Sequence, residues 1–392
     1  VYYRENYITD NIAYGGGGIS VGAGSSLPKI IILNNILINN SVTGGGGSAI
    51  NTGLGTMLLK GNITLKNNNQ GGGSIAVNGQ PSDVSNNIVA DNYSDGIGGG
   101  FYMQASAVTF TKNQIIRNTA LDIAGLYEGS SMTGLRQNNT IAYNTNTEIT
   151  PTAKTVYCWN NSLPHLLENN IFGNTGAFEL SNGDAQGTAN LNAINNWWGT
   201  TNLGDIQGKI CDWFDNNTLA LVDFNPILTT PDTLAPVSPP VNVTKTNLGG
   251  GSIKITWSHN PESDIAGYHL YYGSFNGYAF TNMVDVGNDT AYVLSGASIT
   301  DTIGITAYDN IFSNSNENLL TIVNDNMIYG NESWYSYATV ECSALALNMS
   351  AIDASCSTCN DGTATAIVSF GLAPYDYAWN TSPVQTNYTA TA

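Results

Sequence analysis

A chain of 392 residues is long enough for two or three domains with substantial cores, which excludes a peptide or a small disulfide scaffold. Its net charge of -18, with only 11 Lys and Arg, argues against nucleic acid or an anionic membrane as a partner. Polarity comes instead from 52 Asn and 43 Gly, a turn-rich composition that suits β structure and disfavours helical enzyme folds.

The chain opens Val1-Tyr2-Tyr3-Arg4, with neither an initiator Met nor a signal peptide, and reads as a piece of a longer protein. A repeat begins at once. Asn, four residues and a second Asn recur at Asn6 to Asn11, Asn35 to Asn40, Asn62 to Asn67, Asn87 to Asn92, Asn113 to Asn118 and Asn139 to Asn144. A shortened copy at Asn170 to Asn174 and a last one starting at Asn196 make eight units. Gly runs starting at Gly15, Gly44, Gly71 and Gly98 keep the same beat. A period of ~27 residues with short β-type runs and no helical periodicity predicts a parallel β-helix of about eight coils. Stacking would place Asn11, Asn40, Asn67, Asn92, Asn118 and Asn144 in a ladder at one corner, their amides tolerating a left-handed backbone. The Gly runs would mark a second corner, where the backbone must turn or approach closely without a Cβ.

The residue before the second Asn of each unit reads Asp10, Asn39, Lys66, Asp91, Arg117 and Tyr143. Lys66, Asp91 and Arg117 should therefore stand on successive coils. They form either a solvated ion-pair stripe worth ~0-1 kcal/mol per pair or a saccharide-contact stripe. A polysaccharide lyase would need such cations to neutralise a uronate carboxylate, but bases are scarce, and no paired carboxylates suited to a hydrolase stand out. His165, His259 and His269 are isolated, with no metal-ligand spacing. No catalytic residue, metal site or cofactor is assigned; calcium is a candidate effector without a motif.

The repeats end in Asn195-Asn196-Trp197-Trp198-Gly199 and Val222-Asp223-Phe224-Asn225-Pro226, where the two Trp are expected to close the apolar core. These closing segments resemble those of bacterial right-handed parallel β-helix proteins of the pectin-lyase-like superfamily, over residues 1-228. That likeness speaks to fold more than function, since the superfamily includes enzymes, phage spikes and adhesins.

Pro231, Pro236, Pro239 and Pro240 mark residues 229-240 as a stiff linker. Beyond it, Trp257, the stretch from Asn260 to Gly273 and Ile305-Thr306-Ala307-Tyr308-Asp309 resemble a fibronectin type III domain over 241-324, which implies a β-sandwich. Asp301 stands where that family has a corner tyrosine. Residues 325-341 read as a second linker.

From Cys342 to the end, Cys356, Cys359, Asp361 to Thr365, Ala373-Pro374-Tyr375, Tyr377 and Trp379 resemble a partial SprB-type repeat of Bacteroidota surface proteins, a second Ig-like β module over 342-392. With no second CxxC to complete a metal site, Cys356 and Cys359 are expected to form a local disulfide or to pair elsewhere in the repeat. Cys158 and Cys211, about two coils apart, are read as buried thiols.

The whole is expected to be all-β and to belong to a large extracellular surface protein, resembling adhesins of the type IX secretion system. Its expected role is non-enzymatic attachment to a surface glycan or another cell-surface ligand. Rivals are a subunit of a self-assembling extracellular appendage and a carbohydrate-active β-helix enzyme. A homo-oligomer sensitive to salt or calcium fits the acidic second half, which has no Lys or Arg after Lys254. Thr233, Thr290 and Thr302 follow Asp and precede an apolar residue, matching the O-glycosylation pattern of Bacteroidota.

Overall fold

A computed structural model describes residues 1-22, 29-79, 82-104, 107-148, 152-310, 325-341, 346-369 and 375-391. Two compact units emerge: Val1–Val243 with Thr256–Tyr292 and Thr300–Tyr337, and Thr244–Ile255 with Val293–Ile299 and Ala338–Ala392.

The first unit is built on a parallel β-helix of about eight coils. The coils contribute short strands to four sheets. The first sheet has seven strands, from Tyr2–Arg4 to His165–Leu167; the second has seven, from Tyr7–Thr9 to Asn170–Phe172. A third runs from Ile12–Ala13 to Thr145–Asn146 in six strands, and a fourth from Ile19–Val21 to Ile210–Cys211 in eight. All pair in parallel with the same position one coil on, as Ile36, Ile63 and Ile88 do in the second sheet. Alternate residues point inward, so Ile32, Leu37, Leu59, Val84, Phe101, Phe110, Ile115, Leu126 and Leu180 fill one continuous core.

Two asparagine ladders hold the corners on either side of the second sheet. In one, the Nδ2 of each Asn donates to the Oδ1 of the next through Asn6, Asn35, Asn62, Asn87, Asn113, Asn139, Asn169 and Asn196, at 2.8 to 3.0 Å. In the other, Asn11, Asn40, Asn67, Asn92, Asn118, Asn144 and Asn174 do the same at 2.9 to 3.1 Å. The seventh unit is therefore a full copy starting at Asn169 rather than the expected shortened one at Asn170; Asn170 itself bonds to Asp232. The left-handed backbone also falls one residue earlier than expected. Asp10, Asn39, Lys66, Asp91, Arg117 and Tyr143 have φ between 51° and 59°, and the ladder Asn that follows each is not left-handed. That preceding residue bends the chain, which leaves the Asn free to bond along the coil stack. The Gly corner both turns and approaches closely: Gly16, Gly46, Gly73 and Gly98 have φ between 73° and 111°, and a Cβ on Gly99 or Gly100 would lie 2.6 Å from a carbonyl oxygen of the next coil.

The C-terminal end is closed by the helix Leu203–Gln207, N-capped by Asn202, and by pairing of Leu191–Asn192 with Val222–Asp223. Ile206, Ile210, Val222 and Trp198 are buried in the main core, whereas Trp197 packs against the outer cluster. The expected closing role thus falls to Trp198.

The outer face of the second sheet is apolar too. Ile36, Ile38, Ile63, Leu65, Ile88, Ile116 and Phe172 point out of the solenoid and are buried by Tyr271, Met327, Ile328, Trp334 and Tyr335. Those residues belong to or flank a four-stranded sheet in the order Phe280–Asp285, Ile265–Phe275, Gly304–Asp309, Ser336–Tyr337. Gln114 seals the join with two hydrogen bonds, its Nε2 donating to Met327 O and its Oε1 accepting from Trp334 N–H.

Both segments expected as linkers contain packed residues. Residues 325-341 hold the helix Asp325–Tyr329 and the strands Ser336–Tyr337 and Thr339–Val340, because Met327, Ile328 and Trp334 are large apolar groups that bury themselves. The Pro-rich stretch is packed down: Ala235 and Val237 are buried, Thr140 Oγ1 donates to Pro236 O, and Ser238 N–H donates to Glu262.

The second unit contains a four-stranded sheet in the order Ala291–Ser295, Ser252–Thr256, Thr244–Gly249, Thr339–Val340. It also has an antiparallel sheet in which Thr363–Ser369 lies between Ala346–Ile352 and Thr389–Thr391. Cys356 and Cys359 are joined in a disulfide of 2.06 Å. Cys342 and Ala373-Pro374, part of the expected repeat, lie outside the described residues.

Candidate functional site

Lys66, Asp91 and Arg117 do stand on successive coils beside the second Asn ladder, yet they do not form one solvated stripe. Lys66 is exposed. Arg117 grips Asp91 through Nε and Nη2 at 2.8 and 3.1 Å, and Nη2 also donates to Tyr335 O at 2.9 Å. Its side chain is 23% exposed. The packed sheet that contributes Tyr335 draws this cation into a structural contact, so the low stability value expected for an exposed pair does not apply to it.

The closed end of the solenoid has a cleft of about 320 Å³ lined by Asn174, Glu179, Trp198, Thr200, Asp205 and Lys209. Glu179 ends the second Asn ladder: its Oε2 accepts from Asn174 Nδ2 at 2.6 Å, where the next Asn Oδ1 would otherwise be. The side chain is only 6% exposed. Burial pushes its carboxyl up to about 7, against the opposing pull of the Asn174 amide and of Lys209. A carboxyl of that kind can donate or accept a proton near neutrality. Nothing in the sequence marks it, because its environment is made by residues from two coils and the closing helix.

Two further polar clusters are buried. Inside the solenoid, Arg136 takes an inward position between Phe110 and Leu166 and makes a two-pronged pair with Glu128 at 2.7 and 2.9 Å. The thiol of Cys158, opposite Glu128, is pushed up chiefly by burial. In the packed sheet, Glu332 Oε1 accepts from Tyr271 OH at 2.7 Å and Thr306 Oγ1 at 2.6 Å, and lies 3.0 Å from His269 Nδ1. His269 also stacks on Tyr308 at 4.3 Å, and the Tyr308 hydroxyl donates to Asp285. The histidine that looked isolated in sequence thus has a buried carboxylate partner. His165 is exposed beside Asn192, and His259 lies near the Tyr268 ring. Among the described residues, no three His, Cys, Asp or Glu side chains are grouped to hold a metal ion.

Thr233 and Thr302 are exposed, whereas Thr290 is half-buried with its carbonyl accepting from Trp257 N–H. Cys158 and Cys211 are free; Cys158 is buried and Cys211 half-buried. In the second unit, an apolar cleft of about 540 Å³ is lined by Leu347, Met349, Val368, Tyr375, Tyr377 and Trp379. No helix among the described residues is long and apolar enough to cross a membrane. No protein-family model matches the chain, and no curated protein matches it.

Proposed function

We propose that this chain is a non-enzymatic part of an extracellular surface protein that mediates attachment to a glycan or another cell-surface ligand. The observation that carries this reading is the structural use of three of the solenoid's basic groups. Arg117 is engaged by Asp91 and the Tyr335 carbonyl, Arg136 by Glu128, and Lys154 by Asp122. The acidic composition and the resemblances to fibronectin type III and SprB-type modules of Bacteroidota surface proteins support the extracellular, type IX-secreted setting. Calcium or salt-dependent self-association belongs to the same proposal, because like-charged acidic segments repel until screened.

Incubation with uronate polymers, followed by the absorbance of unsaturated products and by a reducing-end assay, should show no turnover. Turnover that disappears in Lys66→Ala and Arg117→Ala would overturn the reading. One observation favours a carbohydrate-active enzyme as the second reading, namely the Glu179 carboxyl held near 7 in a cleft with Asp205 and Lys209. Turnover abolished by Glu179→Gln but retained in Lys66→Ala would establish that alternative.

A further inference from the structure

The strand Ala346–Ile352 is an edge. It pairs antiparallel with Thr363–Ser369 without a bulge, and among the described residues its other side makes no backbone hydrogen bond. Every residue from 347 to 352 is exposed. Edge strands are ordinarily blunted by charge, proline, bulges or short length. The opposite edge of the same sheet, Thr389–Thr391, is blunted by its length of three residues. Ala346–Ile352 is seven residues long, contains neither proline nor an ionisable side chain, and leaves Leu347, Met349 and Ile352 at 56%, 56% and 69% exposed.

The strand's own sequence selects its partner. Ala-Leu-Asn-Met-Ser-Ala-Ile is close to a palindrome of size and polarity about Met349. Set antiparallel to itself with Met349 on a two-fold axis, it opposes Leu347 with Ala351, Ala346 with Ile352, and Asn348 with Ser350. Large faces small on both sides of the sheet, and amide faces hydroxyl. Leu347, Met349 and Ala351 share one face with Val368, Ala366 and Ala364, so self-pairing extends that apolar face across the axis. Charge selects the same partner. The chain carries a net -18, yet the three strands of this sheet have no ionisable side chain, which gives two acidic copies a neutral place to meet. Seven residues make an edge about 24 Å long and ~10 Å deep. Two copies therefore bury roughly 500 Å² in all, against ~1,200-2,000 Å² for a standard interface, so the dimer is weak and concentration-dependent.

We infer that Ala346–Ile352 pairs with the same strand of a second copy, forming a two-fold sheet centred on Met349. The inference supplies a surface for the self-association proposed above and rests on that reading. Sedimentation of the full chain over a concentration series, at low and at high salt, should show a monomer–dimer equilibrium. Met349→Lys opposes two ammonium groups at the axis and should weaken the dimer at least about tenfold, although it makes the chain less acidic, with an unchanged circular dichroism spectrum. Met349→Cys should form a covalent dimer under mild oxidation, since directly opposed residues lie ~4.5-5.5 Å apart at Cα, within disulfide reach. Leu347→Cys, displaced from the axis, should not, with the parent chain as the control for its own thiols. A dimer that survives Met349→Lys, equal cross-linking at both positions, or growth beyond a dimer would overturn this surface and leave self-association standing. A parent chain that stays monomeric at every concentration and salt would overturn the self-association itself, and this inference with it.

Discussion

An interior ladder asparagine is satisfied on both sides. Asn92 Oδ1 accepts from the backbone N–H and the Nδ2 of Asn67, and Asn92 Nδ2 donates to Thr64 O and Asn118 Oδ1. Truncating it strands buried donors that water cannot reach, each costing ~1-3 kcal/mol. Asn92→Ala should therefore lower stability by about 2-4 kcal/mol in urea unfolding, whereas Asn11→Ala, at the partly exposed first coil, should cost clearly less. Glu179 supplies a different residue-scale test. Its folded pKa, about 7, lies above the ordinary glutamate value, so the folded state holds the proton more tightly than the unfolded chain. The stabilisation is complete below pH ~4.3 and is lost as pH rises through about 7, on the order of 3 kcal/mol in all. Unfolding free energies at pH 5 and pH 8 should differ less in Glu179→Gln than in the parent by that order; an identical difference in both would show that Glu179 does not carry it.

At the scale of the element, the bend before each ladder Asn decides which side chains are tolerated. Asp, Asn, Lys, Arg and Tyr all occupy it with φ near 55°. A β-branched residue there meets its own backbone, at a cost of ~1-2 kcal/mol. Lys66→Val should lower the unfolding midpoint accordingly, while Lys66→Ala should be close to neutral, since Lys66 is exposed. Arg117→Ala should cost more than Lys66→Ala, about 1-3 kcal/mol, because it leaves Asp91 and the Tyr335 carbonyl with lost partners in a half-buried join. Equal effects of the two alanine variants would return Arg117 to the role of a solvated surface charge.

At the scale of the whole molecule, the β-helix and the four-stranded sheet of the first unit share one apolar cluster, so they should unfold together. Trp334→Ala, at a fully buried position of that cluster, should cost ~3-5 kcal/mol and lower a single transition; two separated transitions would show that the parts are independent. The coil architecture was legible because a solenoid writes its tertiary contacts locally. A ladder partner lies one period away, so an Asn recurring every ~27 residues already states which amides will meet. Legibility failed where the contact had no period. Asn86 bonds to Ile328 O and Gln114 to Met327 O, more than two hundred residues apart, and nothing in the spacing of 325-341 distinguishes a buried clasp from a linker. The apolar residues on both faces of the second sheet, such as Ile36-Leu37-Ile38, were the available sign that something covers it. Glu179 took the place of a ladder amide with a different side chain, so its role could not be read from the repeat. Composition and period alone thus determined an all-β chain with a stacked parallel core, because identical neighbours one coil apart satisfy one another. Tertiary structure alone decided which faces are covered and which charges are consumed, because each depends on unlike segments that meet only once the chain has folded.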